Sequence, residues 1–306
     1  MKNNPMACDL ETGICGVVEE NETGLLDFSR PNKEVEVYFF SDPICSHCWA
    51  LEPEIAKFTA AYGDTFKIHT VMGGLLPSWD GFADVSNGIG GPKDVAGHWR
   101  EVGEYYRMPI DGSLWLDNPV HSSYPPSRVW KVVQSVKAEA AEIFLRKLRE
   151  AVFAFNENIA DEEVLIRLVD EIGLDGKEIV EKANSEEGER LLQQDFELAQ
   201  RFGVRGFPTI IMVNKENKGV KIVGQRRYED YTNGLMQALG QEELLKANKA
   251  QALPTLLSDG RRLFSKEIET IYGIEQAEVE GFVQQSFPQN GVKSGTILGE
   301  TYYVQA

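Results

Sequence analysis

Glu34-Val35-Glu36-Val37-Tyr38-Phe39-Phe40 begins by alternating and ends fully apolar, the pattern of a strand running into the middle of a sheet. Ser41-Asp42-Pro43 breaks it, and a helix is predicted from about Cys45. Leu51, Ile55, Phe58 and Tyr62 share one stripe of that helix, and Gly63 ends it. Thr65 to Met72 then reads as a second strand, followed by Gly73-Gly74. Strand, helix and strand in this order make one unit of an α/β sheet. They also place a cysteine where the strand hands over to the helix.

That position matters because Cys45-Ser46-His47-Cys48 is a C-x-x-C pair. The spacing alone is shared with zinc sites, but the setting is that of a redox dithiol. Unpaired N–H groups and the positive end of the helix dipole stabilise a thiolate, which predicts a Cys45 pKa lowered to roughly 3.5–7.5. Cys48, one turn on, is expected to be less exposed and to resolve a mixed disulfide formed at Cys45. His47 lies between them, where a partly protonated imidazole stabilises the reduced form and makes the disulfide a better oxidant. Pro53 falls inside the predicted helix, where proline costs roughly 3 kcal/mol, so a kink that re-aims the first turn is expected.

The third element is distant. Val204-Arg205-Gly206-Phe207-Pro208-Thr209 opens a strand, about 160 residues after the dithiol. With the features above, it predicts a cis-proline loop at Pro208 facing the cysteines. Such a loop offers the backbone of Phe207 to an extended substrate by β-augmentation and keeps metal away from the thiols.

Between these parts, residues 78–92 read as a loop. Helical patterns follow, with Val95, Trp99, Val102 and Tyr106 on one and Phe144, Leu145, Leu148, Val152 and Phe155 on another. Asp161 and Ser185 are predicted helix starts, the second helix running to about Phe202. After 204 come a strand at Pro208–Val213, an antiparallel partner at Gly219–Val223, and a helix over about 228–250. Residues 253–306 read as two short helices, Phe264–Tyr272 and Gln276–Gln284, and a hairpin over Val292–Val304, a winged-helix-like α+β unit. With four basic residues against seven acidic ones, that unit suits protein contact rather than DNA. The expected organisation is an irregular lead-in at 1–32, an α/β domain at 33–91 and 203–240, a helical insertion at 92–202, and the C-terminal unit at 253–306.

Phe40-Ser41-Asp42-Pro43-Ile44-Cys45-Ser46-His47-Cys48-Trp49, Pro53 and Gly206-Phe207-Pro208-Thr209 together resemble the DsbA family of thioredoxin-fold proteins over roughly residues 34–240. The resemblance implies an α/β thioredoxin-like fold with a large helical insertion. It also implies Cys45 as attacking thiol, Cys48 as resolving thiol, His47 as redox tuner and Pro208 as cis-proline. Cys48-Trp49-Ala50-Leu51-Glu52-Pro53, the insertion and the tail from Ser265-Lys266-Glu267-Ile268 are similar to the YjbH/SpxH protease adaptors of Firmicutes. That family implies a second role, presenting the regulator Spx to the ClpXP protease. Two departures from it, Ser46-His47 in place of Pro-Glu and a lead-in without a His-rich segment, put the redox reading first. Protein thiols and disulfides are then the expected partners, with an Spx-like client and ClpXP as the alternative. The chemistry calls for no cofactor and no metal.

The net charge of −17 argues against a nucleic-acid or anionic-membrane surface. The N-terminal residues have no apolar signal region, which leads to the expectation of a cytoplasmic protein. A site as oxidising as about −120 mV would stay reduced against a cytosolic pool at about −220 mV or below, favouring reductase, isomerase or sensor work. The other cysteines, Cys8 and Cys15, leave three readings open: a relay or regulatory disulfide, two zinc ligands, or two unrelated thiols.

Overall fold

The computed structural model describes residues 8–9, 14–16, 35–80, 89–241, 245–287 and 291–306. Two short strands, β1 (Cys8–Asp9) and β2 (Ile14–Gly16), come first. The lead-in expected to be irregular therefore contains paired strands. The rest of that segment, and residues 81–88 of the predicted 78–92 loop, lie outside the described residues.

β3 (Val35–Ser41) follows, then α1 (Ser46–Ala50), α2 (Glu52–Tyr62) and β4 (Phe66–Met72). The predicted single helix is in fact two, broken at Leu51. The amides of Glu54 and Ile55 both donate to the Leu51 carbonyl, at 3.0 and 3.1 Å. Pro53 sits in the first turn of α2, where its missing N–H costs no helical hydrogen bond. This corrects the expectation of an interior kink.

The insertion comprises α3 (Pro92–Tyr106), α4 (Leu114–Asp117), α5 (Tyr124–Val136), α6 (Ala138–Arg149), α7 (Glu162–Asp170), α8 (Gly176–Ala183) and α9 (Glu186–Arg201). A π-helical turn, Glu150–Ala154, extends α6. Ser185 caps α9 by accepting from the Glu187 amide at 3.2 Å. Asp161 holds the N-cap position of α7, but its carboxylate accepts from Asn118 instead, at 3.0 Å.

β5 (Gly206–Phe207), β6 (Thr209–Asn214), β7 (Gly219–Val223) and α10 (Tyr228–Leu239) complete the core. The expected helix over 228–250 stops early because Gly240 turns left-handed at φ 66°. The main sheet has the order β4-β3-β6-β7, with β3 and β4 parallel and the other pairs antiparallel. Val35, Val37, Phe39 and Phe40 are all buried, as befits a strand covered on both faces. A separate small sheet has the order β1-β2-β5.

The C-terminal segment holds α11 (Leu253–Leu256), β8 (Leu263–Phe264), α12 (Ser265–Tyr272), α13 (Val279–Ser286), β9 (Val292–Ile297) and β10 (Glu300–Gln305). Its own core contains Leu257, Ile268, Val279, Val283 and Tyr303. Ions fasten it to the rest. Arg146 bonds Glu52, Glu150 and Glu267, while Arg107 bonds Glu269 and Glu300.

Candidate functional site

Cys45 is the N-cap residue of α1, with extended backbone at φ −77° and ψ 107°. Its Sγ accepts from the Cys48 amide at 3.3 Å, so the sulfur does what a serine or aspartate oxygen does at other helix starts. The turn before it is held by Asp42. That carboxylate accepts from the amides of Ile44 (3.1 Å) and Leu75 (2.8 Å) and from the Ser123 hydroxyl (2.8 Å). Burial pushes the Asp42 carboxyl up to about 6, even though all three hydrogen bonds pull it down.

The dithiol is closed in. Cys45, His47 and Cys48 are 0 % exposed and Ser46 is 1 % exposed. Burial pushes the Cys45 thiol well above its ordinary range; the neighbouring Cys48 sulfur and the charge of Asp42 add to this, while the Cys48 amide opposes it. The expectation of a depressed Cys45 pKa is thus reversed. The helix terminus is in place, but desolvation outweighs one N–H and a short dipole.

The far loop reaches the same end of the sheet. Thr209 pairs with Phe40, which brings Pro208 level with Ser41, just before the turn that carries Cys45. The Phe207–Pro208 peptide bond is cis, and the Pro208 carbonyl accepts from the Gly224 amide at 2.8 Å. The Phe207 ring lies over Gly73, and a Cβ at Gly73 would fall 1.9 Å from its Cζ. Gly73→Ala is expected to displace that ring and cost about 1–3 kcal/mol; an unchanged urea midpoint would show that the ring gives way freely.

The backbone of Phe207 is engaged by the chain itself. Cys15 pairs with Phe207 and Gly16 with Gly206, both antiparallel. His47 faces the segment after β7 and the helical insertion, its Nδ1 3.5 Å from Gln225 Oε1 and its ring beside those of His98 and Tyr106. Gln225 also donates to the Ala50 carbonyl at 3.0 Å, tying the segment after β7 to α1.

Asp42, His98, Arg149 and Gln225 belong to the site without having been assigned to it from sequence. Arg149 is 2 % exposed and bonds Glu52 at 2.8 Å and the Ser41 hydroxyl. Burial acts to lower its pKa, but Glu52, followed by the Cys48 and Cys45 sulfurs, raises it on balance. A guanidinium therefore stands within electrostatic reach of both thiols, where it favours any thiolate that forms. Among the described residues, no three His, Cys, Asp or Glu side chains converge as a metal-holding group. No described helix is long and apolar enough to cross a membrane.

A strand–dithiol helix–strand unit, a cis-proline strand and a helical insertion between them define a thioredoxin-fold protein with a vicinal dithiol site. The family model described as Thioredoxin matches residues 38–233. The chain is 30% identical over 279 residues to the ClpXP adapter protein SpxH of Halalkalibacterium halodurans, with 90% of each covered. It is 30% identical over 255 residues to SpxH of Bacillus subtilis, with 82% of each covered. The cytosolic disulfide reductase DsbM from Pseudomonas aeruginosa superposes with a TM-score of 0.52 at 19% identity, covering 67% of this chain and 98% of that one. The chain belongs to the SpxH family within the thioredoxin-like proteins.

Proposed function

We propose that this chain is a thiol–disulfide oxidoreductase acting on protein disulfides. The observation that carries the proposal is the Cys45 sulfur at a helix N-cap, 3.3 Å from the Cys48 amide, at the sheet end where Pro208 follows Phe207. Cys45, once deprotonated, attacks a client disulfide and forms a mixed disulfide while the client's other sulfur leaves. Cys48 then attacks Cys45, releases the client thiol and closes the Cys45–Cys48 disulfide. Arg149 supports the thiolates, and a client that pairs with the Phe207 backbone takes the place of β2 there. In the cytoplasm this runs as reduction or isomerisation of clients.

The second reading is a redox-regulated adaptor that delivers an Spx-like client to ClpXP. It is favoured by the SpxH relative that matches over 90% of the chain. Insulin reduction separates the two. Activity in the wild type that falls to background in Cys45→Ser supports the oxidoreductase. An inactive wild type that binds Spx as well as Cys45→Ser does supports the adaptor.

A further inference from the structure

We propose that Cys8 and Cys15 form a second redox dithiol that the chain presents to its own Cys45–Cys48 pair along the Phe207–Pro208 edge. The hairpin would then be an internal client, exchanging two electrons with the active site within one molecule. The inference rests on the reading of Cys45 and Cys48 as an exchange site, and it names the first disulfide that site meets.

The backbone register carries it. Cys8 and Cys15 are direct partners in the antiparallel β1–β2 pair. Residues opposite each other in such a pair have Cα atoms about 4.5–5.5 Å apart. Disulfides span Cα separations of about 4.4–6.8 Å. The backbone register thus sets the two residues at a separation that a disulfide spans.

Cys15 pairs with Cys8 on one side and with Phe207 on the other, because β2 is the central strand of the three-stranded sheet. Phe207 immediately precedes Pro208, which the β6 register sets level with Ser41 at the start of the Cys45 turn. The backbone registers thus link β1 to β2, β2 to β5, and the residue after β5 to the strand that leads into the Cys45 turn. An extended external client that pairs with the Phe207 edge must compete with β2. A segment of the same chain competes as an intramolecular partner, independent of protein concentration.

The exchange balances within the chain. Cys45, as thiolate, attacks the Cys15 sulfur of a Cys8–Cys15 disulfide; a Cys15–Cys45 bond forms, the Cys8–Cys15 bond breaks, and Cys8 leaves and takes up a proton. Cys48 loses a proton and attacks Cys45; the Cys45–Cys48 bond forms and Cys15 departs as a thiol. Two electrons and two protons have moved from the active-site pair to the hairpin, and the reverse sequence returns them. This assigns a function to the lead-in cysteines and selects the relay from the three readings that the sequence left open.

The test uses full-length Cys48→Ser protein, oxidised with one equivalent of diamide and acid-quenched, with disulfide-linked peptides mapped by mass spectrometry. The expected result is a Cys15–Cys45 peptide as the main species containing oxidised Cys45, in a yield unchanged over a tenfold range of protein concentration. Cys45 recovered only as free thiol, or joined to a second molecule, overturns the relay. A dominant Cys8–Cys45 link overturns the register argument and the relay with it. The insulin assay on the wild type runs in parallel. Activity that depends on Cys45, without the internal link, sinks the relay and leaves the oxidoreductase standing. The internal link without insulin reduction supports the relay and removes the external-client reading.

Discussion

Replacing Arg146 by methionine is expected to cost about 3–5 kcal/mol of stability, because it strips the cation from a buried carboxylate. Arg146 bonds Glu267 at 2.6 and 2.8 Å, Glu52 at 2.5 Å and Glu150 at 2.7 Å, and its guanidinium lies 4.8 Å from the Trp49 ring centroid. Glu52 keeps Arg149 and Glu150 keeps Arg262 when Arg146 is gone. Glu267 is 0 % exposed and is left with the Phe264 amide at 2.9 Å. Methionine fills much of the volume, so the loss is one of charge rather than of packing. The decisive comparison is a double-mutant cycle with Glu267→Gln in urea. Most of the loss should be recovered in the pair. Additivity within about 0.5 kcal/mol would mean that the two groups act independently and would refute the account.

This network shows where sequence reading stopped. The β3–α1–β4 unit was legible because its signals are local: an apolar run, a Ser-Asp-Pro break, a cysteine pair and a glycine stop. The role of Gly206-Phe207-Pro208-Thr209 was legible only through its combination with that unit. Arg146, Arg149 and Glu267 gave no such signal, since a basic residue on an amphipathic helix reads as a solvated face until its neighbours are known. The break at Leu51 was missed because a proline eight positions after a cysteine fits both a kinked helix and a second helix's first turn. The helix expected to run to residue 250 was overextended for a related reason. Gly240 is a weak stop by composition and a firm one only in its left-handed conformation.

Burial made the larger difference at the site. A helix N-terminus can be inferred from sequence, and with it a thiolate-stabilising field. The covering of Cys45 and Cys48 cannot, because it depends on segments distant in the chain. In this closed arrangement the neutral thiol is favoured, and exchange requires water or a client to reach the sulfur. Arg149 and the Cys48 amide are already in place for the moment when the charge forms.

Asp42 provides the second large effect, in the pH dependence of stability. Its carboxyl is raised from 3.8 to about 6 by burial, so between those values the folded protein holds a proton that the unfolded chain has lost. The stabilisation is therefore complete below about pH 4 and is lost as pH rises through about 6, a change on the order of 3 kcal/mol. Glu54, Glu142 and Asp195 are raised as well, while Glu52 and Glu171 are lowered, so the whole-protein curve mixes both signs. Asp42→Asn isolates the contribution. Asparagine keeps one acceptor oxygen for Leu75 and Ser123 but turns a donor toward the Ile44 amide, which destabilises it by a nearly pH-independent amount. The gap in unfolding free energy between wild type and variant should therefore be widest at pH 4 and narrow by about 3 kcal/mol at pH 7. A gap that stays constant, or widens with pH, would mean that Asp42 is ionised throughout and that the turn carrying Cys45 is wetter than its burial indicates.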